Sequence, residues 1–287
     1  LMSIACASGK GGTGKTTVAT NLAAFLAALR PVQLLDCDVE EPNCHLFLPL
    51  DKKRRREEVT VFVPEVDEAK CDRCGRCAAS CRFNAISVLG DHVLVFPELC
   101  HSCGVCSYVC ERDAISEVGR AVGFLRGGSA GDVVFWGGDI NPGEAMAEPV
   151  IAAVRAKTER ASLNIIDAPP GTTCPTVAAV RGVDLCLLIT EPTPFGLSDL
   201  DMAVGMCRRL RVRAQVIINR CDLGDEQVEE YCRAEGIPVL ARLPWDRTLA
   251  EAYARGALVI DESENWAERF GALCRDILHL AVGGDQM

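Results

Sequence analysis

The ten residues Ser8 to Thr17, SGKGGTGKTT, follow a short apolar run at 3–7 and lead into an alanine- and leucine-rich stretch, Thr16 to Leu29. That order constrains the chain more than any other feature. An apolar strand that ends in a glycine loop and restarts as a helix gathers backbone N–H groups at a helix N-terminus, where phosphate oxygens are held. Arg30-Pro31 stops the helix, and VQLLDCD at 32–38 reads as a buried strand. Strand, loop, helix and strand make a right-handed crossover unit of a parallel sheet. Gly9-x4-Gly14-Lys15-Thr16 has the spacing of a loop wrapped around a triphosphate. Gly9, Gly11, Gly12, Thr13 and Gly14 are predicted to form the cradle, Lys15 to neutralise the β- and γ-phosphates, Thr16 to offer its hydroxyl to Mg2+, and Thr17 to reach the α-phosphate. A second lysine, Lys10, has no place in this wrapping.

The pattern breaks between about Pro49 and Arg120, then resumes with apolar runs at 132–136, 163–167, 184–190 and 214–220, separated by helices near 143–160 and 197–210. These runs lack two-fold alternation, as expected of strands covered on both faces. A polar helix near 225–235, a short strand at 237–241 and helices near 247–255 and 264–281 complete the chain. The reading is one doubly wound α/β domain formed by residues 1–50 and 121–287, interrupted by an insert at 51–120. With 287 residues, 49% of them hydrophobic, the chain can bury one large core and a satellite. A net charge of −10 disfavours general nucleic-acid binding. No leader or bilayer-length apolar run is seen, which predicts a cytoplasmic protein. The helix at Trp266 to Val282 has only Arg269 and Arg275 as reliable cations, so it is read as packed rather than membrane-bound. Lys52 to Arg56 is read as a solvated linker, with docking to an acidic partner as the alternative.

The insert repeats itself. Cys71-x2-Cys74-Gly75-x-Cys77-x3-Cys81-x3-Ala85-Ile86-Ser87 recurs 29 residues later as Cys100-x2-Cys103-Gly104-x-Cys106-x3-Cys110-x3-Ala114-Ile115-Ser116, with HVLVF at 92–96 between as a hairpin strand. Two such copies are too small to form a core of their own, so something inside must hold them together. Two evenly spaced quadruple runs point to a pair of [4Fe-4S] clusters; structural zinc and disulfides are the alternatives. Gly75 and Gly104 suit positive-φ positions beside cluster sulfur. The insert resembles bacterial two-cluster ferredoxins, except that Arg82 and Glu111 stand where proline follows the fourth cysteine. The resemblance implies crossed ligand sets, with Cys71, Cys74, Cys77 and Cys110 on one cluster and Cys100, Cys103, Cys106 and Cys81 on the other. Of the nine remaining cysteines, Cys6, Cys186, Cys207, Cys221, Cys232 and Cys274 read as small hydrophobes. Cys37, Cys44 and Cys174 fall close to the expected nucleotide site.

Hydrolysis of a triphosphate needs carboxylates to orient a metal ion and a group to position water. Asp36 and Asp38 leave the second strand, and Asp167 ends LNIID, all at the sheet edge shared with the glycine loop. Asp36 is expected near Mg2+, Asp167 to bind it through water, and Asp38 to align the attacking water. Asp167-Ala168-Pro169-Pro170-Gly171 looks like a loop that senses the γ-phosphate through the Gly171 N–H. Lys10 to Thr17 is similar to the deviant Walker A motif of MinD/ParA/Mrp-class P-loop ATPases, Asp36-Cys37-Asp38 to their switch I and Asp167 to Gly171 to their switch II. Glu191 to Gly196 also resembles this class, more narrowly the MinD-type ATPases that carry an inserted ferredoxin domain. The resemblance implies that Asn219, with Arg220 beside it, contacts adenine, that Pro244 and the backbone at Asp246 close the base pocket, and that Lys10 acts in trans on the phosphates of a dimer partner. The paired C-x-x-C of Mrp/Nbp35 scaffolds is missing from the C-terminal portion. Cys174 matches the spacing of a cluster ligand in the nitrogenase iron protein, but no companion cysteine lies in 122–149.

The expected protein is thus an ATPase that dimerises with itself or with a similar chain, uses ATP, Mg2+ and two [4Fe-4S] clusters, and acts on a metal-cofactor or redox partner by electron transfer or metallocluster handling. The alternative is a nucleotide-dependent positioning module whose clusters are structural or redox-sensing.

Overall fold

The structure, a computed structural model, describes residues 2–51 and 55–282. Lys52, Lys53 and Arg54, most of the basic run, lie outside the described residues. β1 (Ser3–Ala7) enters the glycine loop, α1 (Lys15–Ala27) leaves it, and β2 (Val32–Asp36) follows. The middle of the chain forms β3 (Arg55–Val66), α2 (Arg76–Ser80), β4 (Ile86–Leu89), β5 (His92–Val95), α3 (Val105–Tyr108) and β6 (Ile115–Ala130). Strands and helices then alternate through β7 (Val133–Ile140), α4 (Glu148–Arg155), β8 (Leu163–Asp167), α5 (Cys174–Val180), β9 (Leu185–Thr190), α6 (Pro194–Leu210), β10 (Arg213–Asn219), α7 (Gln227–Ala234), β11 (Val239–Leu243) and α8 (Arg247–Ala254), after which α9 (Val259–Glu262) and α10 (Glu264–Val282) follow directly.

The main sheet has the order β11-β10-β9-β1-β8-β2-β7-β6-β3. From β11 to β7 every pairing is parallel. β2, β8 and β9 are buried at every position, because helices cover both faces. Alternate residues still part to opposite sides. Ala5, Leu35, Ile166 and Leu188 join the core under α4, α5 and α6, whereas Ile4, Leu34, Ile165 and Leu187 join the core under α1 and α10. Trp266, Phe270, Leu273, Cys274 and Ile277 recur at helical spacing on α10 and are buried in that second core, so the terminal helix is a packed one. No helix among the described residues is long and apolar enough to cross a membrane.

The middle of the chain departs from the sequence reading. β6 pairs antiparallel with β7, and β3 with β6, so both extend the main sheet. The expected boundary at residue 120 falls inside β6. Hydrogen bonding runs unbroken from Val66↔Ile115 to Arg55↔Gly127 apart from one shift at Val59/Thr60, and a backbone ladder leaves no compositional mark where it passes from insert to sheet. The cysteine repeat sits at the far end of this two-stranded arm, beside the β4-β5 hairpin.

Candidate functional site

A cavity of about 430 Å3 opens at the carboxyl ends of the parallel strands. Gly11, Gly12, Gly14, Lys15, Thr16 and Thr17 line one side, Asp38, Glu41 and Asn43 another, and Asn219, Arg220, Pro244, Trp245 and Asp246 the far end. The fold therefore brings together, around one space, residues that the sequence separates by more than two hundred positions. Gly14 must be glycine: its φ is +98°, and a Cβ there would meet Asn219 Nδ2 at 2.7 Å. Asn219 Nδ2 donates to the Thr13 carbonyl (2.8 Å) and its Oδ1 accepts from the Arg220 N–H (3.0 Å), so its amide stitches β10 to the loop as well as facing the cavity. Asp246 caps α8 through the Thr248 N–H and accepts from Trp266 Nε1 at 2.8 Å, which fixes the far wall.

Behind the loop, Asp36 and Asp167 stand opposite each other on β2 and β8, both fully buried. Thr16 Oγ1 donates to Asp167 Oδ2 (2.7 Å), while Asp167 Oδ1 is buried without a hydrogen-bond partner. Burial, and next the charge of Asp167, push the Asp36 carboxyl well above its ordinary range, and burial raises Asp167 as well. Asp38 is pushed up to about 6 by burial and then by Asp167. A carboxylate oxygen left unpaired in the interior is expensive unless a cation takes it. Mg2+, a hard ion that binds oxygen donors, fits Thr16, Asp36 and Asp167 on that ground.

Two expectations are corrected. Gly9 does not line the cavity; a Cβ there would come within 2.3 Å of the Asp199 carbonyl oxygen, so its glycine lets α6 approach the loop. The Gly171 N–H donates to the Ser8 carbonyl (2.9 Å) and is not offered to a phosphate, while Pro170 lines the cavity instead. Asp36 and Asp167 sit behind the lining rather than in it. Lys10 is also outside the cavity: its Nζ pairs with Glu191 Oε2 at 3.2 Å, and Glu191 Oε1 binds Arg220 Nη1 at 2.5 Å. Glu41, Asn43, Leu249, Ala250 and Tyr253 also line the cavity, although the sequence gives no sign of them. They belong to no motif and meet only through the fold; Trp245 alone was signalled, by its position between Pro244 and Asp246.

In the insert, Cys71, Cys74, Cys77 and Cys110 line one small cavity, and Cys81, Cys100, Cys103 and Cys106 line another. Gly75 and Gly104 have φ of 76° and 68°, as expected. The 29-residue repeat extends to strained backbone that sequence did not reveal: Arg73 with Ser102 and Asn84 with Asp113 all have positive φ. The Ala85 and Ala114 N–H groups each donate to a cysteine sulfur, Cys81 and Cys110, at 3.3 Å. Glu111, in a proline's place, forms an ion pair with Arg76 of the other copy, and Arg112 Nε lies 2.9 Å from Asp72 Oδ2.

The family model for the CobQ/CobB/MinD/ParA nucleotide binding domain matches residues 4–259. An uncharacterized protein of Methanocaldococcus jannaschii is 33% identical over 270 residues, covering 93% of each chain. An iron-sulfur cluster carrier protein of Pyrococcus horikoshii is 25% identical over 296 residues, covering 96% of this chain and 85% of its own. Among solved structures, the septum site-determining protein MinD of Pyrococcus horikoshii, complexed with Mg-ADP, is similar in fold, with a TM-score of 0.62 at 19% identity over 100% of this chain and 99% of its own.

Proposed function

The chain belongs to the CobQ/CobB/MinD/ParA nucleotide-binding family, and from that premise we propose that it is a dimeric ATPase whose nucleotide state controls a two-cluster electron carrier or cluster handler built into its sheet. The observation that carries this reading is the path of the chain from cavity to insert. Asp38, Glu41 and Asn43 line the cavity, and β3 begins at Arg55. Within that short span the Asp51 N–H donates to the Ser129 carbonyl of β6 at 2.8 Å. A displacement of residues 38–43 on nucleotide binding is thereby passed to both strands of the arm that bears the cysteines.

Lys15 and the loop amides hold the phosphates, and Asp38, at the cavity wall, orients the water that attacks the γ-phosphate to yield ADP and phosphate. Thr16, Asp36 and Asp167 would hold Mg2+, which would supply charge neutralisation at the phosphate oxygens. The eight cysteines hold two [4Fe-4S] clusters, which supply one-electron redox chemistry. The crossed lining of the two cysteine cavities and the paired N–H···S contacts support that assignment, and the likeness to a protein named as an iron-sulfur cluster carrier supports a role in iron-sulfur handling. Lys10 acts in trans on a partner's phosphates, so dimer closure must break its pair with Glu191.

Anaerobic reconstitution followed by iron, sulfide and EPR measurement tests the clusters. Their reduction potentials and solvent accessibility are then compared with the pocket empty, filled with ADP, and filled with a nonhydrolysable triphosphate. The triphosphate should produce a dimer with shifted potentials. Clusters indifferent to all three states would refute the coupling. Lys10→Ala should retain nucleotide binding and lose ATP-dependent dimerisation.

A further inference from the structure

Directly behind the nucleotide cavity three buried side chains from three segments converge. Asp36 ends β2, Asp167 ends β8, and Cys44 opens a 3-10 turn, Cys44–Leu46, that follows the cavity-lining residues 38–43. One carboxylate oxygen from each aspartate and the Cys44 sulfur all lie within 4.8 Å of one another. All three residues are 0% exposed. The Cys44 thiol donates a hydrogen bond to Asp167 Oδ2, with Sγ 3.3 Å from the oxygen. A tetrahedral cation with a thiolate at about 2.3 Å and a carboxylate oxygen at about 2.0 Å separates those two donors by about 3.5 Å, so the pair already has the required spacing.

Neighbouring groups orient the donors. The Cys44 and Asp38 N–H groups donate to the two Asp36 oxygens at 3.0 and 3.2 Å, and the Thr16 hydroxyl donates to Asp167 Oδ2. These are the outer contacts that hold metal ligands in place. Asp167 Oδ1, buried and unpartnered, is a further donor atom with nothing to bind in the protein itself. Mg2+ makes no use of a sulfur ligand. One thiolate with two carboxylates instead suits a thiophilic first-row divalent cation, for which affinity rises toward the end of the series.

We propose that Asp36, Cys44 and Asp167 form a binding site for a thiophilic divalent cation of the zinc or cobalt(II) class. Binding forms metal–ligand bonds at the Cys44 sulfur and at one oxygen of Asp36 and of Asp167, and releases to solvent the thiol proton and any proton carried by the two carboxyls. The site borrows the two carboxylates assigned above to Mg2+, so this cation and Mg-nucleotide exclude one another. Only that exclusion rests on the proposed ATPase reading; binding of the cation stands without it.

The test uses the anaerobically reconstituted full chain, stripped of other divalent ions and titrated with Co2+ in the absence of nucleotide. The sulfur-to-cobalt charge-transfer band is read as a difference spectrum, and Zn2+ is added in competition. The wild type should show one tight equivalent that Zn2+ displaces. Cys44→Ser and Cys44→Ala should lose the band and bind at least about tenfold more weakly, at equal iron content and with unfolding temperatures confirming the fold. An undiminished band in both variants would place the ion on other cysteines and overturn the proposal, as would the lack of a tight equivalent in the wild type. The wild type alone supplies a second reading: Mg2+ with a nonhydrolysable triphosphate should weaken Co2+ binding at least about tenfold. Unchanged Co2+ affinity there would overturn the exclusion while leaving the site. Indifference of the clusters to nucleotide would instead count against the coupling alone and leave the cobalt band as it is.

Discussion

The two ends of this molecule are held together by different means. The nucleotide half has two continuous cores, one on each face of the sheet, with Trp266, Phe135 and Phe270 among their largest fully buried side chains. The cysteine-bearing end has Val63, Ala85 and Cys100 as its buried cluster, and leaves Phe83, Leu99 and Tyr108 exposed. Its Arg112–Asp72 and Arg76–Glu111 pairs are solvent-exposed, and exposed ion pairs contribute little. A segment of that kind is stable only if bonds to a metal centre close it. The comparison teaches that hydrophobic burial supports one half, and that the other has the β3-β6 ladder and, on the proposed reading, the clusters its cysteines would hold.

The sharpest way to break that comparison is to remove the iron that the eight cysteines are proposed to hold. Chelation under reducing conditions should lower hydrogen-exchange protection across 67–114 at least about a hundredfold while the parallel strands keep theirs. Equal protection before and after would show that the insert folds on its own apolar contacts. Lys15→Ala is the reciprocal perturbation: nucleotide affinity, read by calorimetry, should fall by about a hundredfold, with iron content unaltered. Trp266→Phe removes the 2.8 Å bond to Asp246 in the second core. It should lower the unfolding free energy of the nucleotide half by about 1–2 kcal/mol in denaturant titration, without loosening the insert.

The smallest effect is that of pH. Asp38, raised from its ordinary 3.8 to about 6, keeps a proton in the folded protein that the unfolded chain has already lost. Its contribution to stability is therefore full below about pH 4 and disappears as pH rises through about 6. Asp36 and Asp167, raised by burial, act in the same direction. Unfolding of the Mg2+-free nucleotide half should shift down by a few °C between about pH 5 and about pH 7, and Mg2+ should recover the loss. In the insert, the Arg112 hydrogen bond lowers Asp72 to about 2, so Asp72 adds no slope in that window. A Tm that rises with pH in the absence of Mg2+ would mean that the buried carboxylates are already neutralised by a cation.

Much of the site could be read from one dimension because its parts are local. The glycine loop lies within ten residues, and each cysteine run within eleven. The strands were legible because burial on both faces demands uninterrupted apolar runs. The Gly9 and Gly171 expectations failed for a different reason. Glycine in a phosphate-loop pattern reads as a phosphate contact, yet at Gly9 it answers the approach of Asp199 from α6, and the Gly171 N–H is already taken by Ser8. Neither partner lies near enough in sequence to be foreseen.

The sequence by itself determined the parallel sheet, the phosphate loop and the existence of two four-cysteine sets, since each depends on spacing or on runs of one polarity. Tertiary structure decided that β3 and β6 belong to the main sheet, that Glu191 joins Lys10 to Arg220, and that Cys44 meets Asp36 and Asp167. Backbone ladders and buried polar contacts are made between whichever residues the fold brings within about 3 Å. Residue type along the chain does not record that proximity.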